Sequence, residues 1–153
     1  SPDWAYKNNG IMIHGQSAES MALGQAFPIS LEVQLLGADK CQIRPTGNLC
    51  TPGTSVVING MRVVEHCINS DGPTITNVRW VKAEVIVYGD SIIHHLINGD
   101  TVMTYSKPRV DTTEIDYIRR EGLTDFRLAH GTISLQAETH PIDFRKIELQ
   151  ELK

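Results

Sequence analysis

The chain predicts an all-β fold, two antiparallel sheets packed as a sandwich, and three observations carry that reading. Short runs rich in Val and Ile alternate apolar and polar residues with a period of two, as half-buried strands do. Asn–Gly pairs at Asn9–Gly10, Asn59–Gly60 and Asn98–Gly99, with a further turn at Gly89–Asp90, punctuate those runs with dipeptides suited to tight hairpins. Alternation lapses only between residues 108 and 129, where one short helix fits. Many short strands with a single helix favour sheet on sheet over α/β layering.

The elements follow in order. The first strand is expected at residues 11–14. A second is expected at 29–35, where Leu31, Val33 and Leu35 point one way and Ser30, Glu32 and Gln34 the other. Residues 56–64 read as a hairpin turning at Asn59–Gly60, a pair that tolerates the positive φ angles of a type I′ turn. Residues 80–88, 91–97 and 101–105 form a three-stranded meander. Residues 113–120 read as a helix opened by a Thr113 cap. Strands at 131–137 and 144–149 complete the sandwich. There is no repeat, low-complexity tract or linker, so one domain over residues 1–153 is expected.

Composition narrows the function classes. The 153 residues are 41% hydrophobic, enough for a core, yet no apolar run approaches the ~20 residues of a transmembrane helix. A formal charge of -4 and scattered Lys and Arg provide no basic stripe for a phosphate backbone, which argues against nucleic acid as a partner. Phosphate-binding glycine loops, Cys-x-x-Cys, His-Glu-x-x-His and Gly-x-Ser-x-Gly motifs are absent. Extending the 56–64 hairpin brings Cys50 and Cys67 within a couple of positions of each other. Two readings stay open: a Cys50–Cys67 bridge, which implies an oxidising compartment, or three inert buried thiols.

Chemistry concentrates at alternating polar positions. Met12, His14 and Gln16 share one strand face, Ser30, Glu32 and Gln34 another, and Ser134, Gln136 and Glu138 a third. A solvated outer face explains such alternation, and so does a sugar-binding face, because amides and carboxylates meet hydroxyls in fixed directions. On an extended strand Glu138 and His140 would face the same way, as an acid–base pair or as metal ligands; a polar turn before Pro141 is the alternative reading of the same residues. His94 and His95 must point to opposite faces, His95 reading as a structural histidine bonding across the meander, and Trp80 is expected in inter-sheet packing, with a sugar-stacking platform as the alternative. Retaining glycosidases of this architecture need paired carboxylates along one strand, whereas residues 31–35 offer one acid and one amide. Direct two-carboxylate hydrolysis is therefore disfavoured.

Five blocks in fixed order, NNGIMIHG at 8–15, LEVQ at 31–34, TGNLC at 46–50, HLING at 95–99 and GTISLQAETHPIDFRKIEL at 131–149, resemble the 3-keto-disaccharide hydrolase family of Bacteroidetes type. They span the chain nearly end to end, and Glu32, Gln34, Gln136 and Arg145 match the family pattern. His14 stands where Arg is frequent. Glu138 stands where the family commonly has His, with His140 two residues later. The family begins with further strands ahead of the first block, so the chain is expected to lack those opening strands.

The resemblance implies a concanavalin-like jelly roll acting on an oxidised carbohydrate. A ketone at carbon three acidifies the hydrogen on carbon two. A base removes that proton, the glycosidic oxygen leaves by β-elimination, and water adds back. The base is expected to be Glu138 or His140, with Arg145 and His14 as electrophilic support; the alternative support is a divalent cation held by such carboxylates and imidazoles. Glu32, Gln34 and Gln136 would orient substrate. His14, Glu32, Gln34, Gln136 and Glu138 should then converge on one concave face. The implied location is periplasmic or secreted, a lipid anchor on the precursor being one form of it. The rival reading is a non-catalytic, lectin-like carbohydrate-binding domain.

Overall fold

A computed structural model describes residues 5–39, 41–138 and 140–152. Its strands are β1 (Asn8–Gly15), β2 (Leu31–Leu36), β3 (Asn48–Cys50), β4 (Thr54–Ile58), β5 (Met61–Val63), β6 (Cys67–Ile68), β7 (Ala83–Tyr88), β8 (Ile92–Ile97), β9 (Asp100–Val110) and β10 (Thr132–Glu138), with one helix, α1 (Ile115–Glu121). They form two five-stranded antiparallel sheets, β10-β1-β2-β3-β6 and β5-β4-β9-β8-β7. The architecture is the expected antiparallel sandwich, consistent with a jelly roll. Among the described residues no helix is long and apolar enough to cross a membrane.

Alternation decides what each sheet buries. Ile13, Leu31 and Leu49 from the first sheet meet Val56, Ile93, Met103 and Tyr105 from the second in one core. His95 joins this interior, and His94 points the other way and remains accessible, as adjacent strand residues must. The Gly47 carbonyl lies 2.9 Å from Nδ1 of His95 and can only accept, so Nδ1 carries the proton and Nε2 accepts from the Tyr105 hydroxyl at 3.0 Å. The pair ties the second sheet to the turn before β3. Burial pulls His95 down to about 4 and pushes Tyr105 up, so both are neutral.

Several expectations meet corrections. Asn59–Gly60 and Asn98–Gly99 adopt the positive φ angles of hairpin turns, but Asn9–Gly10 lies inside β1, paired on both sides. β9 runs on to Val110 through Pro108, because Lys107 takes φ 49° beside a register shift against β4, the kind of bulge that accommodates a missing N–H. Thr113 does not cap α1; its hydroxyl bonds Asp111, and Glu114 holds the N-cap without a side-chain bond. The expected strand at 144–149 is unformed: those residues join no ladder, and Ile147 and Leu149 are exposed. Trp80 is half exposed rather than packed between the sheets.

The Cys50–Cys67 bridge is present, and Cys41 is free and exposed, which overturns the picture of three buried thiols. The bridge does not extend the Asn59–Gly60 hairpin. Cys50 and Cys67 oppose each other in the first sheet, β3 against β6, whereas the hairpin between them belongs to the second. The disulfide thus closes the excursion of the chain from one layer to the other and back.

Candidate functional site

Register alone assembles a polar face on the outer side of the first sheet. One row across β10, β1, β2 and β3 reads Gln136, Gly10, Gln34, Asn48. The adjacent row reads Ser134, Met12, Glu32, Cys50 and, on β6, Cys67. One alternation step beyond the Asn9–Ala137 pair, the Asn8 amide donates to Oε2 of Glu138 at 2.7 Å. Glu32, Gln34, Gln136 and Glu138 therefore do share a face, although they come from segments about a hundred residues apart.

Glu32 is the unusual member. It is only 6% exposed, and its carboxylate leans across Gly10: a Cβ built on Gly10 would lie 2.7 Å from Oε1 and 3.0 Å from Cγ. The absent side chain at Gly10 is the space that Glu32 occupies. Burial, and next the charge of Glu138, push the Glu32 carboxyl up to about 7. Its Oε1 is buried with no hydrogen-bond partner, as are Oδ1 of Asn8 and Oε1 of Gln136. Unmet buried acceptors cost roughly 1–3 kcal/mol each.

The rest of the face holds these groups in place. Oε2 of Glu138 accepts from both Asn8 and Gln136, the second at 3.2 Å. Asn48 donates to Oε1 of Gln34 at 3.2 Å while its own oxygen accepts from the Ser70 amide at 2.9 Å. Gln34 thereby has its carbonyl end anchored, which directs its N–H2 group away from Asn48. The arrangement offers a carboxyl that titrates near neutrality, a second carboxylate fixed by two amides, and acceptors matched to hydroxyl donors.

Three expected members lie elsewhere. His14 takes φ 49° where the β1–β10 register shifts, which turns it out of the alternation; its surroundings are the Leu128 backbone, His130 and Asp90, and burial lowers it. β10 ends at Glu138, and the His140 amide bonds the Glu138 carbonyl at 2.8 Å. His140 and Glu138 do not face alike: Nδ1 of His140 lies 3.1 Å from both the Lys7 amide and the Ala5 carbonyl, and its ring meets Tyr6 edge-on. Arg145 stacks on Trp80 at 4.0 Å. Among the described residues, no three His, Cys, Asp or Glu side chains cluster as a set of metal ligands.

Asn8, Gly10 and Asn48 went unrecognised from sequence, and alternation carried a signal only for the first two. Asn8 and Gly10 share the parity of Met12, and Asn48 sits in a three-residue strand too short for alternation to register. Compared with known proteins, residues 2–150 match the family described as the 3-keto-alpha-glucoside-1,2-lyase-like domain. No curated protein and no solved structure matches the chain.

Proposed function

The chain belongs to the 3-keto-alpha-glucoside-1,2-lyase-like family, and from that premise we propose that it cleaves glycosides bearing a ketone at carbon three, with Glu32 as the base. The observation that carries the assignment is the Glu32 carboxyl, raised to about 7, buried, and with Oε1 unpartnered over Gly10. A base matched to neutral pH is what abstraction of a ketone-acidified proton needs. Glu32 therefore takes the role that Glu138 or His140 held in the sequence reading.

In this mechanism Glu32 removes the carbon-two proton. The C–H electron pair becomes the double bond between carbons one and two, and the carbon-one–oxygen bond breaks. The proton passes from Glu32 to the departing aglycone oxygen on the same ring face. The Gln34 N–H2 group meets the charge developing on the carbon-three oxygen. Glu138, Asn8 and Gln136 take the sugar hydroxyls. Water then adds to carbon one and a proton returns to carbon two, giving the free keto sugar. The Cys50–Cys67 bridge supports an oxidising compartment, periplasmic or secreted.

Side-by-side incubation with a 3-keto-glucoside and the unoxidised glucoside tests the assignment. Aglycone release from the keto substrate alone is expected. Comparable release from the ordinary glucoside would place the chemistry in direct hydrolysis.

A further inference from the structure

At the end of the sandwich, on the core side of the first sheet and so away from Glu32, a cavity of about 360 Å³ opens between the segment after β1, the β3–β4 turn and α1. That is a size at which small-molecule sites begin. Its floor is Ile29, its walls include Phe27 and Tyr117, and its polar groups are Gln25, Glu114, Asp116 and Arg120.

Two features show that the space is built. Gln25 pins the surface segment by donating to Oε1 of Gln16 at 2.6 Å and to the Phe27 carbonyl at 2.8 Å, while its own oxygen accepts from Ala22 at 3.0 Å. Gly53, at φ 66°, lets the β3–β4 turn pack directly against two lining residues: a Cβ there would lie 2.9 Å from Ile29 and 3.2 Å from the Glu114 carboxyl carbon. A side chain at Gly53 would therefore push Ile29 or Glu114, two residues of the lining, out of place.

The lining selects its ligand. Two carboxylates with one guanidinium do not favour an anion, and the carboxylates accept while the guanidinium donates. The phenylalanine and tyrosine add apolar ring area, and burial pushes the Tyr117 phenol up from its ordinary value. Vicinal hydroxyls above an apolar ring face satisfy all three kinds of group. We propose that this cavity binds a neutral pyranose, a second carbohydrate position that holds part of a glycan on the opposite side of the sheet from Glu32.

Binding at this cavity does not depend on the elimination chemistry and is read without turnover. The 15N-labelled protein is titrated with methyl β-glucoside, followed by amide shifts. Saturable shifts at Gln25, Phe27, Gly53 and Tyr117, but not at Gly10, are expected with a dissociation constant of about 1 mM. Tyr117→Ala and Arg120→Gln should each weaken binding by about tenfold, with unperturbed amides elsewhere certifying the fold. Absence of saturable shifts, shifts confined to the Glu32 face, undiminished binding in both variants, or tighter binding of inorganic phosphate than of the glucoside would each overturn the proposal.

Discussion

At the scale of single residues the decisive pair is Glu32 and Gly10. Glu32→Gln keeps the shape of the side chain and removes the base, so a rate loss of roughly 100- to 10,000-fold is expected with the 3-keto-glucoside. In the unsubstituted protein the acid limb of the rate profile should have its midpoint near 7, activity rising as Glu32 loses its proton. A limb near the ordinary carboxylate range would transfer the role to another group. Gly10→Ala acts on Glu32 without touching its chemistry, because the new methyl must displace the carboxylate. Its acid limb should move toward lower pH as Glu32 is pushed into solvent, with kcat falling more than KM rises. The sequence made Glu32 visible as a polar position of a strand, but Gly10 looked like a turn glycine. Nothing local distinguishes a glycine that bends a chain from one that makes room for a neighbour on the next strand.

At the scale of elements, period-two alternation located nearly every long strand, and register then set four of the expected site residues on one face. What alternation missed were β3 and β6, two or three residues long, and the continuation of β9 through Pro108. It also overreached at 144–149, whose pattern suits a strand but which joins neither sheet. His14 and His140 were misplaced for a related reason. Each was assigned a direction by counting along a strand, and in each case the strand does not carry that count through, with positive φ at His14 and with β10 ending at Glu138 before His140. The β3–β6 bridge closes a loop whose cysteines are 17 positions apart. Cys67→Ser should lower unfolding free energy by about 3 kcal/mol, the chain-entropy value for a loop of this length. Denaturant titration would show it, and an unchanged midpoint would mean that strand pairing alone orders the crossing between layers.

At the scale of the whole molecule, two buried titratable groups pull stability in opposite directions. His95 is lowered to about 4, so as pH falls from 6.5 the unfolded chain gains a proton that the fold refuses, and stability is lost until pH reaches about 4. Glu32 is raised to about 7, so as pH rises from 4.5 the unfolded chain releases a proton that the fold retains, and stability is lost until pH reaches about 7. Each effect is on the order of 3 kcal/mol, and between pH 4.5 and 6.5 the two slopes oppose each other, with His14, also lowered by burial, adding to the His95 side. Removing Glu32 exposes the His95 slope: the Glu32→Gln protein should gain stability steadily from pH 4.5 to 6.5 and exceed the unsubstituted protein at pH 8. Thermal melts across that range would reveal it, and parallel curves for the two proteins would show that Glu32 is not desolvated in solution.

Proton abstraction at carbon two is the claim on which the functional account turns, and heavy water reads it directly. When the 3-keto-glucoside is turned over in deuterium oxide, the recovered 3-keto sugar should carry deuterium at carbon two, and Glu32→Gln should abolish both the label and the release of aglycone. Aglycone release with protium retained at carbon two would contradict the account, since the glycosidic bond would then have broken without the elimination that the Glu32 face is proposed to perform.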